Sequence, residues 1–271
     1  MSIDVSGIKQ GQRMMWSTGN YPEVARRIES VAELLVQRAG AAPGLELLDV
    51  ATGSGNVAVA AARAGAQVTG LDLTPELLEV ARRRAADADL DISFIEGDAE
   101  ELPFEADSFD RVTSCFGVMF APRHGQAASE LARVARPGAT IAFTAWTPGG
   151  LIGSTFKIVG SHMPAPPPEL EPPVAWGEED HVRALFGDSG AELSFERRTV
   201  AFEHDSPESW VEYDERILGP AIMAKAALEP QGRYGEVREA LTQLYRDANE
   251  AGDGTFRAQA EYLLTVARLP A

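Results

Sequence analysis

The stretch LLDVATGSGN, residues 47–56, places an acid and a glycine-rich turn where a buried strand would hand over to a helix. Asp49 stands in the apolar run, and Gly53 and Gly55 permit backbone geometry and close ligand approach that a side chain would block. The amides that open the following helix, from about Val57, point at the same place. A strand-to-helix turn with no ligand explains these residues when taken alone, and Gly53, Gly55 and Ala58 also satisfy the dinucleotide pattern G-x-G-x-x-A. Asp72 ends a second apolar run 19 positions beyond Gly53, from where a carboxylate can accept hydrogen bonds from both hydroxyls of a ribose. In EGDAEELPF, residues 96–104, Asp98 is suited to accept from an adenine amino group and the Ala99 amide to donate to a ring nitrogen. Together the three segments predict an adenosine-containing ligand lying across the carboxyl edge of a sheet.

The elements that must hold these residues are legible as short apolar runs alternating with helical stretches over residues 46–145, the pattern of a parallel sheet covered on both faces. Strands are predicted at 47–50, 67–71, 92–95, 111–114 and 140–145, with helices between them, giving a doubly wound α/β fold. One helix opens at Thr74, Pro75 and Glu76 with a hydroxyl cap, a proline in the first turn and an acid, and another covers about 125–134, closed by Pro137 and Gly138. A single helix over 22–38 carries Val24, Ile28, Val31 and Leu35 at helical spacing. Residues 147–177 hold seven prolines and read as a loop or lid, followed by a short helix through Phe186. Two long strands are expected at 191–204 and 255–269, separated by a helical stretch at 207–249 that Ser206 and Pro207 open and Gly219, Pro220 and Gly232 break.

Composition narrows the function. In 271 residues with 45% hydrophobic content there is one lone cysteine, Cys115, which excludes an internal disulfide framework. His124, His162, His181 and His204 show no ligand-like pairing, so no metal is expected. The first residues lack the apolar run of a secretory signal, and no segment approaches a membrane span, so a cytoplasmic protein is expected. A net charge of -17 disfavours nucleic acid and anionic membrane as partners. Arg82, Arg83 and Arg84 read as a solvated helix face rather than a basic patch.

With SFDRVTSCFGVMF at 108–120 and ARVARPGATIAF at 132–143 completing the series, the chain resembles the class I S-adenosylmethionine (SAM)-dependent methyltransferases, especially the ubiquinone and menaquinone biosynthesis branch. The resemblance covers roughly residues 45–146, more weakly 16–21 and the last strands. It implies a mostly parallel seven-stranded sheet whose final strand is antiparallel. The chain then divides into an N-terminal helical cap (1–43), a cofactor-binding core (44–206, with the lid 147–177), a helical cap insertion (207–252) and the last strand (253–271). It also implies SAM as cofactor. Asp49, Ala51, Gly53, Ser54 and Gly55 would hold the methionine moiety, Asp72 the ribose, and Leu73, Asp98 and Ala99 the adenine. Backbone at Ser114 and Cys115 would receive the ammonium, with Phe116 and Tyr21 lining the pocket. The loop departs from the common pattern at Ala51 and Asn56, where glycine is usual.

Methyl transfer from a sulfonium is an in-line displacement by an already activated donor, so positioning is the protein's main task and a base is optional. Trp16, Phe120, Trp146, Trp176 and Trp210 are expected to shape an apolar site for a small-molecule acceptor, under the insertion as a cap. His162 and Tyr213 are the candidate bases. Two other readings stay open: a nicotinamide-dependent oxidoreductase, and a SAM-binding protein of the same fold that does not methylate, a cyclase or binding module.

Overall fold

The computed structural model describes residues 4–271. The chain enters through α1 (Val5–Ser17), α2 (Tyr21–Arg26) and α3 (Glu29–Ala39). It then runs through β1 (Glu46–Val50), α4 (Asn56–Arg63), β2 (Gln67–Asp72), α5 (Pro75–Asp87), β3 (Ile92–Glu96), β4 (Phe109–Cys115), α6 (His124–Val134) and β5 (Ala135–Trp146). The second half comprises α7 (Leu151–His162), α8 (Glu179–Phe186), β6 (Glu192–His204), α9 (Pro207–Ile217), α10 (Gly219–Leu228), α11 (Tyr234–Asp247) and β7 (Phe256–Arg268).

All seven strands form one sheet in the order β3-β2-β1-β4-β5-β7-β6. The first five are mutually parallel, and β7 lies antiparallel between β5 and β6. β1 lies inside the sheet, between β2 and β4, with helices on both faces, which is why Leu47, Leu48 and Val50 are all fully buried. The same order sends the carboxyl ends of β1 and β4 apart at the point where the winding reverses, the crevice in which open α/β sheets bind ligands. α5 begins with Thr74 at its N-cap and Pro75 first, and turns Leu77, Leu78, Ala81 and Ala85 inward, but the expected hydroxyl cap does not form, since the buried Thr74 hydroxyl makes no cap hydrogen bond. Arg82 and Arg83 face outward, Arg82 to Glu79 at 2.6 Å, whereas Arg84 is half-buried and donates to the Ser54 carbonyl at 2.9 Å.

Four further expectations are corrected. The helix over 22–38 is two helices, broken where Ile28 leaves the helical conformation (φ -115°, ψ 15°), beside an Arg27 guanidinium held by Asp214 at 2.8 Å and stacked 4.3 Å over the Trp210 ring. No helix separates β3 from β4; a turn-rich connection containing Pro103 joins them. Residues 147–177 are no bare lid, since their prolines flank a proline-free run that forms α7, packed on α11 and β7. Finally, the expected N-terminal helical cap (1–43) holds more than the one helix predicted in it, for α1 precedes that helix, its Asp4 side chain accepting from the Gly7 amide at 2.9 Å.

The insertion between β6 and β7 is helical, and its first helix carries a reciprocal cap between Ser206 and Ser209. Rather than covering the sheet edge itself, it braces α1. The Asn20 amide donates to the Ile217 carbonyl at 2.9 Å, and a Cβ on Gly219 would stand 1.9 Å from the Met15 carbonyl oxygen. Only glycine allows that approach. No helix among the described residues is long and apolar enough to cross a membrane.

Candidate functional site

β1 turns into α4 through Ala51, Gly53 and Gly55, all with positive φ (53°, 56° and 85°). A side chain on Gly53 would press on the Tyr21 ring at 3.1 Å, and one on Gly55 would meet the Ala81 methyl at 3.1 Å. Gly53 therefore lets the Tyr21 ring lie against the turn, whereas Gly55 lets α5 pack close. At Ala51 the left-handed conformation costs an L-residue roughly 1–2 kcal/mol. Gly117 accommodates its methyl: a Cβ there would lie 2.5 Å from the Ala51 Cβ.

Two adjoining hollows open at this edge and share Tyr21 and Ala51 as common wall. The larger, about 680 Å³, is floored by Gly53, Asp72, Leu73, Asp98, Ala99 and Phe116 and roofed by Lys9, Gln12 and Trp16 of α1. The smaller, about 300 Å³, is lined by Asp49, Thr52, Ser54 and Cys115. Asp72 accepts from the Gly53 and Thr74 amides, both at 2.8 Å, one on each carboxylate oxygen. A second lone pair on each oxygen is left for other donors. Asp98 accepts from the Glu100 amide at 2.9 Å and from Lys9 Nζ at 2.5 Å. Lys9 thus shares the Asp98 carboxylate, whose remaining lone pairs still suit an adenine amine, and it also pairs with the buried Glu100.

Burial governs the electrostatics. It lifts the Asp49 carboxyl to about 7, while hydrogen bonds from Thr52 (2.5 Å) and Thr113 (3.1 Å) pull it back. Burial likewise raises Asp72 against the opposing pull of its amide donors. Burial pushes the Cys115 thiol up to about 12 and raises the Tyr21 phenol well above its ordinary range, so both stay protonated at neutral pH. Ser54 Oγ is buried without a hydrogen-bond partner in the smaller hollow, beside Asp49. An orphaned hydroxyl next to an acid fits the charged amino-acid end of SAM, and the Asp72 and Asp98 carboxylates fit its adenosine end.

The structure brings together Tyr21, Asp49, Ala51, Gly53, Ser54, Asp72, Leu73, Asp98, Ala99, Cys115 and Phe116, with Trp16 and Phe120 beside them. Other expected residues lie elsewhere. The Ser114 hydroxyl is a brace, donating to the Val50 carbonyl at 2.7 Å and accepting from the Val118 amide at 2.9 Å. Trp146 is stacked behind Phe116 at 3.8 Å, and Trp176 is fully buried edge-on to Phe143 at 5.1 Å. Trp210 packs on Phe202 and Phe256 in the core. His162 ends α7 with its Nδ1 3.0 Å from the Ile158 carbonyl, facing Glu236 of α11. Tyr213 donates to Glu23 beneath Arg27. Neither candidate base lines the hollows. Lys9, Gln12 and Gly117 were missed: α1 bears no ligand motif, and Gly117 matters only through its contact with Ala51.

The expectation that no histidines pair is also overturned. His124 Nδ1 and His181 Nε2 stand 3.0 Å apart, although 57 positions separate them. Burial, followed by the neighbouring His181, holds the His124 imidazole down to about 4.

Comparison with known proteins agrees with this geometry. Residues 48–143 match the family described as a methyltransferase domain. Over 259 residues the chain is 40% identical to an uncharacterized protein of Mycobacterium tuberculosis, covering 94% of this chain and 93% of that one. It is 37% identical over 136 residues to the demethylmenaquinone methyltransferase of Deinococcus radiodurans, covering 47% of this chain and 56% of the other. A solved putative methyltransferase from Bacillus halodurans shares the fold, with a TM-score of 0.61 at 22% identity, over 89% of this chain and all (100%) of that chain.

Proposed function

The chain belongs to the class I SAM-dependent methyltransferases, in the branch that resembles the ubiquinone and menaquinone biosynthesis enzymes, and on that premise we propose that it methylates a small, partly apolar metabolite. SAM supplies an activated methyl group. Asp72 would hold the ribose hydroxyls, Asp98 and the Ala99 amide would hold the adenine, and Asp49 with Ser54 would hold the methionine end, since all of them line the two hollows. Tyr21 and Ala51, which line both hollows, would lie between the residues that hold the two ends.

The observation that carries the choice of acceptor is the aromatic wall at the mouth of the larger hollow. Trp16 stands edge-on to Phe120 at 4.8 Å and to Tyr21 at 5.7 Å, and all three line the cavity. Such a wall takes a flat or greasy neutral molecule, or a cation through the ring quadrupoles. The net charge of -17 opposes nucleic acid.

Rate enhancement here comes from positioning and from exclusion of water, because Cys115 and Tyr21 keep their protons and His162 and Tyr213 lie outside the site. The test is incubation with methyl-labelled SAM and either a small-molecule extract or tRNA and DNA. Label should enter the small-molecule fraction, with one S-adenosylhomocysteine formed per methyl transferred. Label in nucleic acid, or S-adenosylhomocysteine without a methylated product, would contradict the proposal.

A further inference from the structure

Outside the cofactor site, three metal-ligating side chains from three separate parts of the chain converge. His124 opens α6, His181 lies in the first turn of α8, and Glu171 belongs to the proline-rich stretch between α7 and Pro173. Besides the 3.0 Å between His124 Nδ1 and His181 Nε2, Glu171 Oε2 lies 3.6 Å from His124 Nδ1, and one ligand atom from each residue falls within 4.8 Å of the others. A tetrahedral ion bound at about 2.0–2.2 Å holds its ligand atoms roughly 3.3 Å apart, so small side-chain shifts suffice. His124 is buried, with the Trp176 ring 5.7 Å away, while Glu171 is half exposed. That gives a dry inner side and an open outer side where water can complete the coordination.

We propose that His124, His181 and Glu171 bind one divalent ion of the zinc type. Two imidazoles and one carboxylate are borderline ligands that select Zn(II) or Co(II) over Mg(II) or Ca(II), which take oxygen ligands. The ion fastens the proline-rich stretch and α8 to the start of α6. Immediately before α6, residues 118–120 form the Phe120 wall of the acceptor hollow, and this turn packs on the short helix Pro173–Gly177. The site is therefore a structural staple beside the acceptor wall, distinct from the cofactor hollows.

The competing account of the same geometry is a hydrogen bond between two imidazoles, which needs no metal. Untagged, chelator-treated protein is titrated with Zn(II) in a calorimeter and with Co(II) in an absorption spectrometer. The expected result is one ion per chain, visible Co(II) bands of a tetrahedral site, and protection of residues 163–172 from protease when Zn(II) is present. His181→Asn should weaken binding at least a hundredfold and Glu171→Gln about tenfold. These partly exposed positions spare the buried His124, and circular dichroism verifies each fold. Absence of stoichiometric binding, or equal affinity in a folded His181→Asn or Glu171→Gln variant, overturns the proposal.

Discussion

Cofactor affinity should depend on pH through Asp49, and the dependence follows from burial. The side chain is 1% exposed, and its carboxyl is lifted to about 7 despite two hydroxyl donors. In the unfolded chain the same group titrates near ~3.9. Its raised value means that neutral Asp49 contributes stability that is whole below about pH 4 and is lost as pH rises through about 7. Binding has the opposite sign, because an ammonium beside Asp49 requires the ionised form. Below about 7 each pH unit should weaken S-adenosylhomocysteine roughly tenfold, so affinity at pH 5 should be about a hundredfold below the plateau. Calorimetry in buffers of different ionisation enthalpy should detect close to one proton released per ligand bound at pH 6. Asp49→Asn should bind more weakly at pH 8 and lose the slope between pH 5 and 7. A flat affinity between pH 5 and 8, or an unchanged slope in Asp49→Asn, would refute the reasoning.

Asp72→Asn replaces one of two charge-assisted acceptors with a donor facing an amide, a loss of about 1.5–3 kcal/mol, so S-adenosylhomocysteine should bind roughly ten- to a hundredfold more weakly in a titration of folded protein. Gly117→Ala places a methyl 2.5 Å from the Ala51 Cβ and 2.7 Å from its carbonyl oxygen, and should cost about 1–3 kcal/mol in urea unfolding. The two tryptophans should separate. Trp16→Ala, at the cavity wall, should lower turnover about tenfold or more with cofactor affinity within a few-fold, whereas Trp210→Ala, in the core, should lose about 3–5 kcal/mol of stability.

The sheet and the cofactor hollow were legible because their signals are local. Apolar runs at 47–50 and 67–71 announce buried parallel strands, and Asp49, Gly53, Asp72 and Asp98 lie at or just beyond the carboxyl ends of strands, where the winding brings them together. The acceptor side was not legible in the same way. Trp16, Trp146, Trp176 and Trp210 are alike as residue types, yet only Trp16 faces the hollow; long-range packing decides which ring meets Phe116, Phe143 or Phe202. The bounds of α1 and the part Lys9 plays were not legible, although Trp16 and a helical cap over 1–43 were, since they rest on Lys9 reaching Asp98 across 89 positions and on α10 behind the helix. The prolines around 147–177 give the whole stretch a loop-like composition, although the run from Leu151 to His162 contains none and is free to form a helix. The histidine pair is the extreme case, for no spacing rule links positions 124 and 181.

The central claim is that the two adjoining hollows form one SAM site, and the most direct test is a calorimetric titration of the purified chain with S-adenosylhomocysteine and, separately, with NAD. The account predicts one S-adenosylhomocysteine per chain at micromolar affinity, clearly weakened by Asp98→Ala, and no saturable heat with NAD. Saturable binding of NAD, or S-adenosylhomocysteine binding unaffected by Asp98→Ala in a folded variant, would contradict it.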